Sequence, residues 1–546
     1  MNRSDHWQNL ARLGELLLTP GSVLTLVVVY HPCQKSLHEF FLTVSPRDPC
    51  FRNLFINLDL ATHSRHTLPT VILWEVAMPL DPVPGLLSRA TELLEAEFAA
   101  LPAFPNEMDA DGIAQILAVV AHRLGNNYPY FHPLYAGQML KPPHPLARAA
   151  YALAMKINPN NHARDGGRAS SEMEIEAVAQ IAAMVTWTEH LGHLTSSGTL
   201  ANLEALWVAG QLAPGKRIVG SEQAHYTHRR ISAVLKLEYS EIPAENSGRM
   251  SIGALETELR RGDVGTVVVT LGTTAIGAVD PLDAILALRE RYGFRVHVDA
   301  AYGGYFTLIA GTLDEPARLA YTAISQADSI VIDPHKHGLQ PYGCGCVLFR
   351  DPAVGRYYKH ESPYTYFTSK QLHLHPSEPG PLAGGPVHLG EISLECSRAG
   401  AAAVALWATQ KLLPLVPEGE FAHGLRQGRS AALELDRKLR GDIRFQPLPA
   451  GPPELDIVVW KLNAKTPEQS SQLAQDSFDA CAARDLHLAL VQLPLSWFAP
   501  AAANASPAET GMVTCLRSVL MKPEHEAWLD RIWERLSAAC ADTIKE

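Results

Sequence analysis

The feature that most constrains this fold is an alternation of short apolar runs with helical patterns between about residues 195 and 350. The apolar runs have few polar interruptions, as strands covered on both faces do. Strands that alternate with helices favour a mostly parallel sheet in an α/β domain. The predicted strands are Thr266–Leu271, Arg295–Val298, Ser329–Ile332 and Cys346–Phe349, and the predicted helices cover about 199–210, 224–236 and 281–292.

Breaks rich in proline and glycine divide the rest of the chain. A length of 546 residues has room for about three domains, at roughly 100–200 residues each. We expect an N-terminal extension over residues 1–105, where short apolar runs carry no recognisable chemistry. A large α/β domain with preceding helices is predicted over residues 106–400. A small α+β domain is predicted over residues 401–546.

Composition excludes several classes of protein. The chain has 57 acidic and 46 basic residues, whereas nucleic-acid binders usually present a basic surface. The longest apolar stretch, Val23–Tyr30, is far shorter than the ~20 residues of a membrane helix, and the N-terminus lacks a signal-peptide pattern. The 8 cysteines include no C-x-x-C pair and are too sparse for a disulfide scaffold. We therefore expect a cytoplasmic protein with neither nucleic acid nor membrane as partner.

The segment TSSGTLANLEAL, which begins at Thr195, leads small and hydroxyl residues straight into a helix. A helix N-terminus of this kind presents free backbone N–H groups, and Gly198 and Thr199 therefore suit a phosphate. An ordinary Ser/Thr-capped helix is the alternative. The segment is not a Walker loop, because no Gly-Lys-Ser/Thr follows.

Two charged residues directly follow predicted strands. Asp299 comes at the carboxyl end of a strand, where open α/β sheets bind their ligands, although it could also be a loop-capping residue. Lys336 lies just past another strand, between His335 and His337, although lysines usually lie on solvated faces. Partial burial near other cationic groups makes a lysine amine a nucleophile for carbonyl carbons.

Histidines raise two further possibilities. His225, in the segment SEQAHYT, is predicted to open a helix and to lie flat against a ring ligand; an ordinary core or surface histidine is the alternative. The pairs His335/His337 and His373/His375 suggest a metal. No acidic residue or cysteine lies at ligand spacing from His335 and His337, so we expect no metal.

A phosphate cradle, a strand-end carboxylate and a strand-end lysine together match the needs of pyridoxal 5'-phosphate. That cofactor requires an anion site for its phosphate, a lysine for its aldehyde and a carboxylate against its pyridine nitrogen. The carboxylate favours the protonated ring nitrogen, because an opposite charge stabilises the cation. The sequence therefore predicts a pyridoxal-phosphate enzyme.

The same motifs, with HVDAAYGGYF and ADSIVIDPHKHG, resemble those of the group II pyridoxal-dependent amino acid decarboxylases. The resemblance runs from about Phe131 to Asp351, and more weakly to Pro523. It implies an α/β, fold type I pyridoxal-phosphate-dependent transferase architecture with a mostly parallel central sheet. It also implies Lys336 as the lysine that binds the cofactor, Asp299 as the partner of the pyridine nitrogen and His225 against the ring. Further cofactor contacts implied by it are Gly198, Thr199, Ala301 and His335.

The resemblance implies a mobile loop with a tyrosine that protonates the substrate carbon. The matching stretch is Ser362–Phe367, which makes Tyr366 the donor and Tyr364 its competitor, unless both only pack the loop. Arg398 is a candidate for contact with the substrate carboxylate or for structural pairing. The segment FHPLYAGQMLKPPHPLA is closest to the tyrosine decarboxylase branch, and its His132 and Tyr135 are substrate-binding candidates.

The expected reaction converts an L-amino acid, best tyrosine or a related aromatic, to its amine and CO2. Catalysis would rest on Lys336, Tyr366, His225 and Asp299, in a homodimer with shared active sites. An acidic substrate, aspartate or glutamate, is the alternative and needs a cationic pocket from Arg398 or Lys141. Other open alternatives are aldehyde-forming deamination, a carbon–carbon lyase, a relative that has lost catalysis, and a metal-dependent hydrolase.

Overall fold

The computed structural model describes residues 83–104, 108–162, 166–358, 393–498 and 511–543, together with four strands among the first 82 residues. The chain divides into two compact units, residues 1–82 and residues 83–546. The strands of the first unit are Val23–Val28 (β1), Phe40–Ser45 (β2), Leu54–Asn57 (β3) and Ile72–Trp74 (β4). They pair antiparallel in the order β1-β2-β3-β4.

A seven-stranded sheet forms the centre of the second unit. Its strands are Leu191–Thr195 (β5), Arg217–Ser221 (β6), Tyr239–Ile242 (β7), Val264–Thr270 (β8), Arg295–Asp299 (β9), Ser329–Ile332 (β10) and Gly345–Phe349 (β11). The order is β5-β11-β10-β9-β8-β6-β7, and only β11 runs antiparallel to its neighbours. Every position of β6, β8, β10 and β11 is buried, as apolar strands covered on both faces should be. The predicted mostly parallel sheet is confirmed.

Helices alternate with these strands or precede them. The helices before the sheet are Val83–Glu97 (α1), Ala110–Leu124 (α2), Pro145–Met155 (α3) and Arg168–Met184 (α4). Those between its strands are Gly198–Leu212 (α5), Thr227–Val234 (α6), Ile252–Leu259 (α7), Leu282–Tyr292 (α8) and Ala317–Thr322 (α9). Among the described residues, no helix has both the length and the apolar character needed to cross a membrane.

A smaller antiparallel sheet follows helices Gly400–Leu412 (α10) and Glu420–Arg440 (α11). Its strands are Phe445–Pro447 (β12), Ile457–Leu462 (β13), Ala489–Pro494 (β14) and Met512–Val519 (β15), in the order β12-β13-β15-β14. Helices Pro467–Ala482 (α12) and Glu524–Thr543 (α13) pack with it around the fully buried Trp460. This α+β arrangement lies within the predicted C-terminal domain, whose boundaries stay a prediction.

The helix before β5 is shorter at its C-terminal end than predicted. The pattern from Ser170 to Leu191 predicts a helix capped by Ser170, but α4 begins at Arg168 and ends at Met184. Ser170 is therefore the third residue of the helix, the cap position belongs to Gly167, and the Ser170 hydroxyl donates to Asn161 Oδ1 at 2.5 Å. Thr186 adopts a left-handed backbone with φ of 64°, which ends the helix. The residues beyond it turn into β5.

Candidate active site

Asp299 is the last residue of β9 and lies in the interior of the protein. Its Oδ2 is 2.7 Å from His228 Nε2, and its Oδ1 accepts a hydrogen bond from the Ala301 N–H at 3.1 Å. Burial raises the pKa of Asp299, but the bond to His228 and the charges of His228 and Lys336 outweigh burial and hold the pKa well below its usual range. Asp299 is therefore an ionised carboxylate at neutral pH.

His228 is a site residue that the sequence did not single out. It lies in α6, is fully buried, and supplies the hydrogen bond that compensates the Asp299 charge. A buried carboxylate without such a partner is strongly destabilising. The available signal was its place three residues after His225, directly after the segment SEQAHYT. Its partner Asp299 lies 71 residues further along the chain.

A second buried histidine holds β9 against its neighbours. His297 Nε2 donates to Asn202 Oδ1 at 2.8 Å, and its Nδ1 accepts from the Ser329 hydroxyl at 2.9 Å. Burial, assisted by the charge of His228, lowers the pKa of His297 to about 3, so its ring is neutral. These bonds tie the strand that carries Asp299 to helix α5 and to β10.

Lys336 lies in the turn that follows β10, next to the strand of Asp299. Its Nζ is 3.1 Å from Asp333 Oδ2, and its side chain is 24% exposed. Its backbone N–H donates to the Asp333 carbonyl oxygen at 2.9 Å. His335 donates from Nδ1 to the Cys344 carbonyl at 2.7 Å, and its Nε2 is 3.6 Å from Asp333 Oδ2. Asp333, which the sequence left without a role, therefore holds both the lysine and the histidine.

The N-terminus of α5 meets the same turn. Ser197 caps the helix, and its Oγ accepts from the Leu200 N–H at 3.3 Å. The N–H groups of Gly198 and Thr199 occupy the first two helical positions, which have no acceptor within the helix. A Cβ at Gly198 would lie 2.5 Å from each Asp333 carboxylate oxygen. The helix end therefore adjoins the Lys336 turn and offers N–H groups to an anion.

His225 lies at the same edge of the sheet, two residues before α6, which begins at Thr227 rather than at the predicted 224. Its Nδ1 accepts from the Thr227 N–H at 3.3 Å, and the Thr227 hydroxyl is 3.3 Å from that of Thr199. Burial lowers the pKa of His225, with Asp299 opposing the shift and Lys336 adding to it. The structure therefore brings His225, Asp299, Lys336 and the α5 N-terminus together.

Arg398 is held by internal partners. Its Nη1 is 2.6 Å from Glu174 Oε1 and 2.7 Å from the Leu194 carbonyl oxygen, and its Nη2 donates to the Asn161 carbonyl at 3.1 Å. Glu174 is itself buried. Of the two roles considered for Arg398, these contacts correspond to structural pairing. They connect α4 with the segment that precedes α10.

The substrate candidates His132 and Tyr135 lie in an aromatic region. The Tyr135 ring packs edge-on against Tyr130 at 4.8 Å, and Lys522 Nζ donates to the Tyr135 carbonyl at 2.6 Å. Burial raises the pKa of Tyr135, and Tyr130 and Tyr342 add to the effect. The Tyr342 ring lies 5.0 Å from that of His335, so this region approaches the Lys336 turn.

His132 packs against Trp528 of α13 instead, with ring centroids 4.9 Å apart. Tyr364, Tyr366 and the pair His373/His375 lie outside the described residues. Among the residues that the structure describes, no group of three His, Cys, Asp or Glu side chains is placed to hold a metal ion.

Comparisons with known proteins agree with this geometry. Residues 206–364 match the family model described as "Pyridoxal-dependent decarboxylase conserved domain". The chain is 28% identical over 403 residues to an L-tyrosine decarboxylase of Enterococcus faecium, covering 56% of this chain and 64% of that protein. It is 27% identical to a probable L-tyrosine/L-aspartate decarboxylase of Methanothermobacter thermautotrophicus, and that match covers 61% of this chain and 84% of the relative. The match thus spans less than two thirds of the tyrosine decarboxylase.

Among solved structures, a TDC of Oryza sativa with PLP and tryptamine superposes with a TM-score of 0.64. The sequence identity is 18%, and the match covers 85% of this chain and 99% of that one. The predicted fold type I α/β architecture is confirmed. The resemblance predicted from the motifs is confirmed too, because the chain contains a pyridoxal-dependent decarboxylase domain and is similar to tyrosine decarboxylases.

Proposed function

Because the chain contains a pyridoxal-dependent decarboxylase domain, we propose that it is a pyridoxal-phosphate-dependent carboxy-lyase acting on an L-amino acid. The observation that carries the proposal is the meeting of three groups at one sheet edge. They are the ionised Asp299 at the end of β9, Lys336 after the adjacent β10, and the N-terminus of α5 beside Asp333. Each group matches one functional part of pyridoxal phosphate.

The described residues fit that cofactor. The N–H groups of Gly198 and Thr199 would bind its phosphate, Lys336 would bind its aldehyde carbon, and Asp299 would face its pyridine nitrogen. When bound, pyridoxal phosphate supplies an electron sink for the pair left on the substrate carbon as CO2 departs. Asp299 can keep a proton on the pyridine nitrogen because His228 keeps the carboxylate charged.

Other residues would act around this centre. His225 would lie against the ring, His335 and Ala301 would border it, and Lys336 would hold the cofactor at its aldehyde carbon. We assign the return of a proton to the substrate α-carbon to Tyr366, with Tyr364 as the competitor. These roles come from the family resemblance, and the placement of His225, His335 and Ala301 at the site supports them.

We propose tyrosine or a related aromatic amino acid as the substrate. The similarity to a tyrosine decarboxylase supports this choice, and so do the tyrosines 128, 130 and 135 that pack together in the region approaching His335. An acidic substrate, suggested by the relative named for both tyrosine and aspartate, is less favoured because Arg398 is engaged by Glu174. We place the enzyme in the cytoplasm, which the unpaired state of the six cysteines in the described part of the chain supports.

We further propose a homodimer, with α2 as a contact between the two copies. None of the residues of α2 is buried within the described chain, and Ile113, Ile116, Leu117 and Val120 form an exposed apolar stripe. Antiparallel pairing of two copies about Leu117 would cover this stripe. Leu117→Glu should shift the sedimentation coefficient to that of a monomer, whereas Gln115→Glu, on another face of α2, should not.

The proposed reaction is tested by a screen of the twenty amino acids for CO2 release by the protein loaded with pyridoxal phosphate. We expect release of CO2 with an equal amount of amine, greatest for tyrosine or another aromatic, and none from Lys336→Ala. An aldehyde and ammonia in place of the amine would indicate deamination. Equal CO2 release by wild type and Lys336→Ala would refute the assignment.

A further inference from the structure

Asp456 is a fully buried carboxylate at the start of β13, in the C-terminal sheet. Its backbone carbonyl accepts a hydrogen bond from the Leu520 N–H at 2.8 Å, which fixes the residue in that sheet. Its Oδ1 accepts from the Tyr302 hydroxyl at 2.5 Å, and its Oδ2 is 3.3 Å from His337 Nε2. Both partners belong to the large α/β region rather than to the C-terminal sheet.

Each partner is close in sequence to a residue of the proposed active site. Tyr302 lies three residues after Asp299, in the turn that leaves β9, and His337 follows Lys336 directly. The two rings meet at a centroid distance of 4.7 Å, and Phe306 packs edge-on against His337 at 5.1 Å. One carboxylate from the C-terminal sheet thus contacts both turns that carry Asp299 and Lys336.

The surroundings of Asp456 compensate its charge incompletely. Burial raises its pKa to about 6, although the Tyr302 hydrogen bond and the charges of Lys141 and Arg517 oppose the shift. Burial and the charges of Lys141 and Lys336 lower the pKa of His337, which is therefore neutral. The titratable and charged groups that face the carboxylate are Tyr302, Tyr321, His337, Lys141 and Arg517.

We propose that Asp456 is a positioning residue that holds Tyr302 and His337, and through them the Asp299 and Lys336 turns, in the geometry that the reaction requires. The inference rests on the proposed function. It assigns the C-terminal sheet a direct part in orienting the cofactor site. Small displacements of reacting groups reduce rates strongly, about a hundredfold for 1 Å, so rigid support of both turns has a measurable effect.

The test compares Asp456→Asn and Asp456→Leu with wild type. Asparagine keeps the size and an oxygen that accepts from Tyr302, but it removes the charge beside His337; leucine removes both contacts. Burial raises the pKa of Asp456 from 3.8 to about 6, so the cost of its ionisation to stability accumulates over that range and is fully present above about pH 6. Replacing the carboxylate with asparagine should therefore leave the melting temperature at pH 8 unchanged or higher. A purely structural role therefore predicts no loss of activity in Asp456→Asn.

The positioning role predicts that kcat falls about tenfold in Asp456→Asn and about a hundredfold in Asp456→Leu, with KM changed less than about threefold. The pH midpoint of the visible absorbance of the lysine-bound cofactor should move to lower pH, because the anion that contacts His337, the residue next to Lys336, is lost. Tyr302→Phe, which removes only the hydroxyl, should give an intermediate kcat. Asp436→Asn is the matched control, since Asp436 is a buried carboxylate that pairs with Arg440.

Unchanged kcat and absorbance midpoint in folded Asp456→Asn, or equal effects from Asp436→Asn, would overturn the proposal. Failure of the proposed function has a different signature, because wild type would then bind no pyridoxal phosphate at Lys336 and release no CO2. Cofactor affinity, measured by fluorescence on wild type and each variant, separates the two outcomes without relying on turnover.

Discussion

Loss of the His228 side chain should raise the pKa of Asp299 and remove the contact that orients its carboxylate. In His228→Leu the carboxylate loses the hydrogen bond to Nε2 at 2.7 Å while it stays buried. A hydrogen bond to a charged group contributes about 1.5–3 kcal/mol, and one pKa unit corresponds to about 1.36 kcal/mol. The pKa of Asp299 should therefore rise by about one to two units. The carboxylate should stay ionised at neutral pH, but without His228 it should be held less rigidly against the pyridine nitrogen.

We expect kcat to fall about ten- to a hundredfold in His228→Leu, since about 1.4 kcal/mol corresponds to each factor of ten. The free energy of unfolding should fall by about 3–5 kcal/mol, because one partner of a buried pair is removed. Asp299 has a depressed folded pKa, so its contribution to stability is present above its unfolded pKa and is lost as the pH falls through the folded pKa. In the variant the folded pKa is higher, so the contribution should be smaller and its loss should be complete at a higher pH.

Two further variants make this prediction specific. His228→Gln carries an amide nitrogen near the position of Nε2 and should recover part of the kcat. His193→Leu is the matched control, because His193 Nε2 lies 2.8 Å from Glu204 Oε2 in an equally buried pair. It should lower stability without changing the absorbance of the bound cofactor. If His228→Leu keeps the wild-type kcat and cofactor spectrum, the role given to the His228–Asp299 pair is refuted.

Three other predictions concern the surroundings of the site. Gly198→Ala should weaken the binding of pyridoxal phosphate about tenfold or more, as measured by fluorescence titration, because the alanine Cβ would lie 2.5 Å from the Asp333 carboxylate. Unchanged affinity would contradict the placement of the α5 N-terminus at the cofactor phosphate. Arg398→Met should lower the free energy of unfolding, measured in urea, by about 3–5 kcal/mol, because Glu174 loses its partner. The KM of the folded variant should stay within about twofold of wild type. A large rise in KM would instead indicate that Arg398 binds the substrate. Burial lowers the pKa of Lys522 from 10.5 to about 7, so the stability of wild type relative to Lys522→Met should increase from pH 7 to pH 10. A decrease in this relative stability between pH 7 and pH 10 would show that the pKa of Lys522 is not lowered.

The parts of the fold that sequence reasoning predicted are those with a local signal. The apolar runs at Thr266–Leu271 and Ser329–Ile332 correspond closely to β8 and β10, because strands buried on both faces show few polar residues. The antiparallel direction of β11 has no such signal. It depends on the short connection from β10, which returns through the Lys336 turn.

The same distinction holds for the site. Asp299 and Lys336 stand out because each charged residue directly follows an apolar strand. His228 and Asp333 do not, since their importance comes from a partner brought close by folding. The Arg398–Glu174 pair joins residues 224 positions apart, and the Tyr302–Asp456 bond joins residues 154 apart. Pairing at such separations is a property of the packed sheet and helices, and a single sequence does not display it.

The most direct test of the central claim is the location of the bound cofactor. The protein is loaded with pyridoxal phosphate, reduced with borohydride, digested and mapped by mass spectrometry. We expect one adduct, on Lys336, which is absent from Lys336→Ala and weaker in Gly198→Ala. An adduct on Lys141 or Lys522, the buried lysines whose pKa values burial lowers to about 8 and about 7, or no adduct at all, would contradict it.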